Sequence, residues 1–150
     1  LDGFKVANFL KENHLDIYKL LVSTPVKFYD NDYTQDKIRI HYSPIINLLT
    51  NGYFNDIRFN IGATGILDIK PSLMEKFYNA YRKFASAIND DQYIIKFKLK
   101  AGEMLCFNNR RVLHGRTEFN QNSGNRHLQG YYIDNDEVLS RLNFLEKIQL

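Results

Sequence analysis

The sequence predicts a mainly β domain with flanking α-helices. Residues alternate apolar and polar with period two between 26 and 60 and again between 95 and 107. Apolar stripes at helical spacing occupy the two ends and the stretch after Pro71. No internal repeat or low-complexity tract interrupts them. With 150 residues, 44% of them hydrophobic, the chain is one domain's worth of sequence with enough apolar material for a core. Twenty basic against 17 acidic residues leave a net charge of +3, too small and dispersed for a nucleic-acid binder. No apolar run reaches the ~18 residues of a membrane span. The single cysteine, Cys106, excludes an internal disulfide and fits a reducing compartment.

The elements follow in order. Asp2 to Asn13 reads as a helix with Phe4, Ala7 and Leu10 as its apolar stripe. A second helix carries Ile17, Leu20 and Leu21, capped by Asp16 or Asn13 and stopped by Thr24-Pro25. Val26 and Phe28, then Ile38, Ile40 and Tyr42, mark strands, with Asp30-Asn31-Asp32 and Thr50-Asn51-Gly52 as turns. Phe54 to Asn60 is a further strand. A long helix starts at Pro71 and buries Leu73, Phe77, Ala80, Tyr81, Phe84 and Ile88, until Asn89-Asp90-Asp91 stops it. Ile95, Phe97 and Leu99 alternate with lysines up to an Ala101-Gly102 turn, and Met104 to Phe107 returns as the second arm of a hairpin. Strands are expected at Val112–Gly115 and His127–Ile133 around a polar loop, Glu118 to Asn125. A last helix begins at Asp134-Asn135-Asp136 and carries Val138, Leu139, Leu142 and Leu145.

The chemistry concentrates between Gly102 and Ile133. His114, at the end of a short strand and beside Gly115, can present a ring nitrogen at a cavity mouth. Arg126 follows 12 residues later, and its fork suits a carboxylate bidentately. That pair suits a metal with a dicarboxylate co-substrate. A lone His-Gly pair is more often structural, and spacing alone favours that reading over a metal site.

The wording of these residues narrows the choice. Asn108-Asn109-Arg110-Arg111-Val112-Leu113-His114-Gly115-Arg116 and Arg126-His127-Leu128-Gln129-Gly130 resemble the C-terminal end of the gamma-butyrobetaine and trimethyllysine dioxygenase family of iron(II)/2-oxoglutarate-dependent oxygenases. Leu1-Asp2-Gly3-Phe4 resembles the family's Val-Asp-Gly-Phe helix start, Ala101-Gly102-Glu103 its turn, and Val138-Leu139-Ser140-Arg141-Leu142 its closing helix. The resemblance implies a partial double-stranded β-helix, or jelly roll. It implies iron(II) as metal, 2-oxoglutarate as co-substrate and ascorbate as accessory reductant. His114 matches a histidine ligand to iron, and Arg126 the arginine on the distal carboxylate of 2-oxoglutarate. Asn60 matches an asparagine at the substrate site. Tyr132 matches one wall of an aromatic cage around a trimethylammonium, a group that offers no hydrogen bond and is held by ring faces. Arg110 stands where the family tends to have tryptophan, and Ile61 where a polar group is expected.

The family's iron site needs two histidines and a carboxylate, the first two arriving as His-x-Asp. The one such triplet here, His14-Leu15-Asp16, lies between two helical stripes and after the Asp-Gly-Phe motif, so it is read as a linker and cap. Residues 1–150 are therefore expected to be the C-terminal portion of a catalytic domain, inactive alone. In the intact enzyme the resemblance implies hydroxylation of gamma-butyrobetaine to carnitine, or of trimethyllysine or another small molecule. It also implies a homodimer, cytoplasmic or mitochondrial, with no nucleic-acid or membrane partner. The rivals are a jelly-roll module that has lost its metal and a cupin-like carbohydrate binder. His41 is expected on a half-exposed strand face, His127 and Cys106 within strands, and Arg116 as a loop anchor or co-substrate contact.

Overall fold

A computed structural model describes residues 1–32, 36–118 and 127–148. The chain divides into two compact units, Leu1–Gly115 and Arg116–Leu150.

In the first unit, α1 (Gly3–Asn13) starts where Asp2, in an extended conformation, accepts the Phe4 N–H at 3.0 Å and so satisfies one free donor of the first turn. Its buried stripe is Gly3, Val6, Ala7 and Leu10. Val6, outside the expected stripe, is fully buried, and Phe4 packs at the edge of the core on Phe54 with ring centroids 5.3 Å apart. α2 (Leu15–Ser23) buries Tyr18 and Leu21. His14 lies between the two helices, ending α1 through its N–H to the Leu10 carbonyl and turning its ring edge towards Phe9. The side-chain cap expected for α2 from Asp16 or Asn13 is not formed: Asp16 is in the first turn, and Asn13 donates back to the Phe9 carbonyl.

β1 (Val26–Asp32) and β2 (Lys37–Ser43) pair antiparallel from Val26↔Ser43 to Asp32↔Lys37. The Asp30-Asn31-Asp32 cluster expected to turn the chain therefore belongs to β1. β3 (Ile46–Leu48) and β4 (Phe54–Ile57) form a second antiparallel pair with an irregularity after Asn47. They are joined by the expected turn, where Gly52 takes φ +82 and its N–H donates to the Leu49 carbonyl. β4 ends at Ile57, three residues earlier than expected. α3 (Pro71–Ile88) begins with proline in its first turn, where a missing N–H costs nothing, and buries Phe77, Ala80, Phe84 and Ala87. These side chains meet Val6, Leu10, Leu21, Val26, Ile45, Ile46 and Ile57 in one core. Among the described residues no buried side-chain nitrogen or oxygen lacks a hydrogen-bond partner.

The later strands differ from expectation. At Ala101-Gly102 the chain turns, with Gly102 at φ +84 and the Glu103 N–H on the Lys100 carbonyl. Its arms form no ladder, so the hairpin expected at 95–107 is not made. Ile95 is 78% exposed and Met104 89%. Alternation writes an apolar face, but a two-stranded hairpin without a covering layer is marginal in water. Cys106 accordingly lies outside any strand and is exposed. Val112 forms one antiparallel bridge, to Asp2, in place of a strand. In the second unit, α4 (Asn135–Ile148) forms as expected, but His127–Ile133 is not a strand and His127 is exposed. The described residues thus hold two two-stranded antiparallel sheets.

The bridge at Val112 closes the first unit. Leu113 and Leu1 exchange backbone hydrogen bonds of 2.9 and 3.1 Å, and the Gly3 N–H donates to the Arg111 carbonyl at 2.9 Å. Arg111 also grips the Asp2 carboxylate with two nitrogens, Nε–Oδ1 3.0 Å and Nη2–Oδ2 2.5 Å. The hydrogen bonds from Arg111, aided by its charge and by the Phe4 and Lys5 N–H groups, hold the Asp2 carboxyl below its ordinary value of 3.8 despite an opposing burial effect.

A Cβ on Gly3 would lie 2.8 Å from the Arg111 carbonyl oxygen and 3.1 Å from Ile57 Cγ1. Gly3→Ala is expected to lower stability by about 1–3 kcal/mol, read from the urea midpoint. Gly62→Ala, whose nearest neighbour would be 3.5 Å away, should stay within about 0.5 kcal/mol; equal losses would show that close approach is not the reason for Gly3. Phe84, fully buried, should cost about 3–5 kcal/mol as alanine in the same titration. Because Asp2 is depressed, its contribution is present above its ordinary value and disappears as pH falls through its folded value. Asp2→Asn keeps a capping oxygen and removes the titrating charge. The stability gap between wild type and Asp2→Asn should be flat at neutral pH and close below pH 3.8; a gap that persists into acid would contradict the assignment.

Candidate functional site

Four side chains were expected to carry the chemistry, and the structure treats them differently. His114 follows directly on the Leu1–Leu113 pair, so its backbone is fixed from the N-terminal side. The loop before it is laced together. Asn108 accepts the Arg110 N–H on its side chain and the Arg111 and Val112 N–H groups on its carbonyl. The Arg110 carbonyl accepts from the Ile57 N–H at 2.9 Å, which ties the loop to the end of β4. The His114 ring is exposed and tilted against Phe107, centroids 4.8 Å apart at 57°.

Asn60 lies just beyond β4. Asp56 anchors that strand end: its carboxylate is buried and accepts from Asn47, Asn55 and the Arg58 Nε at 3.2, 3.0 and 2.9 Å. Phe59 then stacks on Tyr81 at 4.9 Å and tilts against Phe84 at 5.3 Å. Pinned on both sides, the chain enters a single 3-10 turn, Ile61–Ala63, capped by Asn60. The Asn60 side-chain oxygen accepts the Gly62 N–H at 3.0 Å, and its carbonyl accepts the Thr64 hydroxyl at 2.7 Å. A substrate contact by Asn60 therefore falls to its Nδ2 group, whose two hydrogens suit a carboxylate or carbonyl oxygen. Ile61, where a polar neighbour was expected, is exposed.

Arg126 lies outside the described residues, so its convergence with His114 is not a structural finding. Tyr132 belongs to the second unit, where it is 87% exposed and has no aromatic neighbour among the described residues. The structure thus connects the His114 loop with the β4 end that leads to Asn60.

Among the described residues no three histidine, cysteine or carboxylate side chains lie close enough to hold a metal ion. His114 supplies one imidazole, which is a donor and not a centre. Among the described residues His114 is thus one donor of an incomplete set. Sequence reasoning passed over three residues that shape this region: Asp2 and Arg111, which clasp the loop, and Asp56, which fixes β4. Asp2 was legible as a helix cap from Asp2-Gly3-Phe4. Its second partner, 109 residues away, left no local signal.

Comparison with known proteins supplies the wider setting. Residues 1–132 match the family described as taurine catabolism dioxygenase TauD, TfdA family. The chain is 36% identical to a gamma-butyrobetaine dioxygenase of Pseudomonas sp. (strain AK-1), covering 98% of this chain and 38% of that protein. It is 34% identical to a trimethyllysine dioxygenase of Meyerozyma guilliermondii, covering 97% and 36%. With human gamma-butyrobetaine dioxygenase it shares 34%, covering 98% and 39%. The chain thus spans less than two fifths of the length of these relatives. With a match that runs through the Asp-Gly-Phe helix start, the His114 loop and Tyr132, the chain belongs to the TauD/TfdA dioxygenase family.

Proposed function

We propose that this chain is the C-terminal portion of the catalytic domain of an iron(II)- and 2-oxoglutarate-dependent dioxygenase that hydroxylates gamma-butyrobetaine to carnitine. The observation that carries the reading is the family match over residues 1–132, joined to 36% identity with a relative of that name. In the intact enzyme the strands outside the matched region complete a jelly roll against the bare arms at 95–107. Their partners bury the Ile95, Phe97 and Met104 faces that stand in water here.

This chain's own residues bind and orient. His114 contributes one of the iron ligands, and the other two come from a His-x-Asp strand outside residues 1–150. The Arg126 guanidinium holds the distal carboxylate of 2-oxoglutarate by a bidentate fork. The Asn60 amide meets the polar end of the substrate, and Tyr132 offers a ring face to its trimethylammonium. Ascorbate serves as accessory reductant. The working enzyme is a homodimer acting on a small molecule in the cytoplasm; the mitochondrial alternative draws on a mouse relative named trimethyllysine dioxygenase, mitochondrial. Trimethyllysine is the second substrate reading, favoured by the 34% identity to the Meyerozyma guilliermondii enzyme of that name.

The isolated 150-residue chain, supplied with iron(II), 2-oxoglutarate and gamma-butyrobetaine, should release no succinate above background. Robust turnover would overturn this and return His14 and Asp16 to consideration. In the full-length enzyme, His114→Ala should reduce turnover by more than the about 10- to 100-fold typical of an outer-shell change at a metal. Tyr132→Leu should raise the KM for the cationic substrate about tenfold, in line with ~1–2 kcal/mol for a desolvated cation over a ring. Its KM for 2-oxoglutarate should hardly move; equal losses on both would argue against a cage. Parallel assays with trimethyllysine decide the substrate, and a full-length protein inert on both would favour a jelly-roll module without metal.

A further inference from the structure

We propose that Asp2 and Arg111 are a positioning pair for His114: a side-chain clasp between the start of α1 and the His114 loop that sets the direction of the imidazole. This rests on the reading of His114 as a ligand, because only then does the direction of its ring matter for function.

The loop has few other restraints on that side. Beyond Leu113 the described chain makes no strand, and the backbone link between residues 1–3 and 111–113 is a single bridge with three hydrogen bonds. Arg111 adds the restraint that the backbone lacks. Its fork meets both Asp2 oxygens, and its guanidinium carbon lies 5.5 Å from the centre of the Phe4 ring. Asp2 is not free to follow the arginine, since the same Oδ1 accepts the Phe4 N–H and so belongs to the α1 cap. The fork is therefore held against a rigid helix end, and it sits three residues before His114.

Exposure separates a positioning role from a stabilising one. The Arg111 and Asp2 side chains are 53% and 33% exposed, and ion pairs in water add little to stability. A bidentate fork over a ring adds geometry instead, because it fixes the plane and the angle of approach where a single ammonium fixes neither. Lysine at 111 would keep the charge and lose the plane. At its far end the positioned ring rests on Phe107, which provides a spectroscopic reporter of its placement that needs no metal.

The test is histidine-selective NMR on the 150-residue chain, with the His114 ring signals assigned by His114→Gln. In wild type the His114 ring protons should be displaced from free-histidine positions by the Phe107 ring current, and Phe107→Leu should remove that displacement. Arg111→Gln and Arg111→Lys should each lose at least half of it. Exchange of the Leu113 N–H should quicken about tenfold or more through local opening, while core methyl signals stay near wild type and the urea midpoint falls only by the small gap that Asp2→Asn shows at neutral pH. Asp2→Asn, which keeps the cap, should behave like Arg111→Gln and serves as the deciding variant if the arginine variants do not fold. The proposal is overturned if the His114 signals of folded Arg111→Gln or Asp2→Asn match wild type, if Arg111→Lys retains the full displacement, or if Phe107→Leu leaves wild-type signals in place. Failure of His114→Ala to affect turnover in the full-length enzyme would remove the ligand reading and leave the NMR result standing, so the two outcomes are separable.

Discussion

The first unit depends on a close approach at Gly3. There the start of α1 and residue 111 lie so near one another that only a hydrogen fits between Cα and the Arg111 carbonyl oxygen. That approach permits the backbone pairing of residues 1–3 with 111–113. It also brings a guanidinium within reach of the carboxylate that caps the helix. One small residue thus joins a local device, the cap, to a contact between distant parts of the chain. The loop that carries His114 hangs from that joint.

Two further restraints give the same region its shape. Asp56 is buried yet fully engaged by two asparagine amides and the Arg58 Nε, as the cost of burying a carboxylate requires. Phe59 stacks on α3 through Tyr81 and Phe84. Asn60 is held between that aromatic anchor and the 3-10 turn that it caps, so its position is set by packing on one side and hydrogen bonding on the other. Neither restraint reaches residues 95–107, and there the apolar side chains remain in solvent. Order in this chain follows the supply of partners. Hydrophobicity alone did not make strands.

How far the residues could be read in advance divides along the same line. The three helices of the first unit were legible because a 3.6-residue stripe is written within a few turns of chain, and Pro71 marks the start of α3. Phe4, Ala7 and Leu10 of the α1 stripe all reach the core, but Val6, which the stripe leaves out, is fully buried while Phe4 packs at the edge on Phe54. The turns at Gly52 and Gly102 were legible for an equally local reason, since both glycines sit where the chain needs positive φ. The strands around them were only half legible. Alternation says which side chains share a face, but not whether a neighbouring strand is there to take the hydrogen bonds.

By itself, the sequence determined the helices, the glycine turns and the family to which the His114 loop belongs, because each is encoded by residues close together or by the wording of one segment. The tertiary structure alone decided that Arg111 answers Asp2, that the 108–113 loop docks on β4, and that Asn60 ends in a cap and not in a strand. The physical reason is reach. A hydrogen bond or ion pair across 109 residues exists only once the core between α1, α3 and the two small sheets has brought its ends together, and no periodicity along the chain records that event.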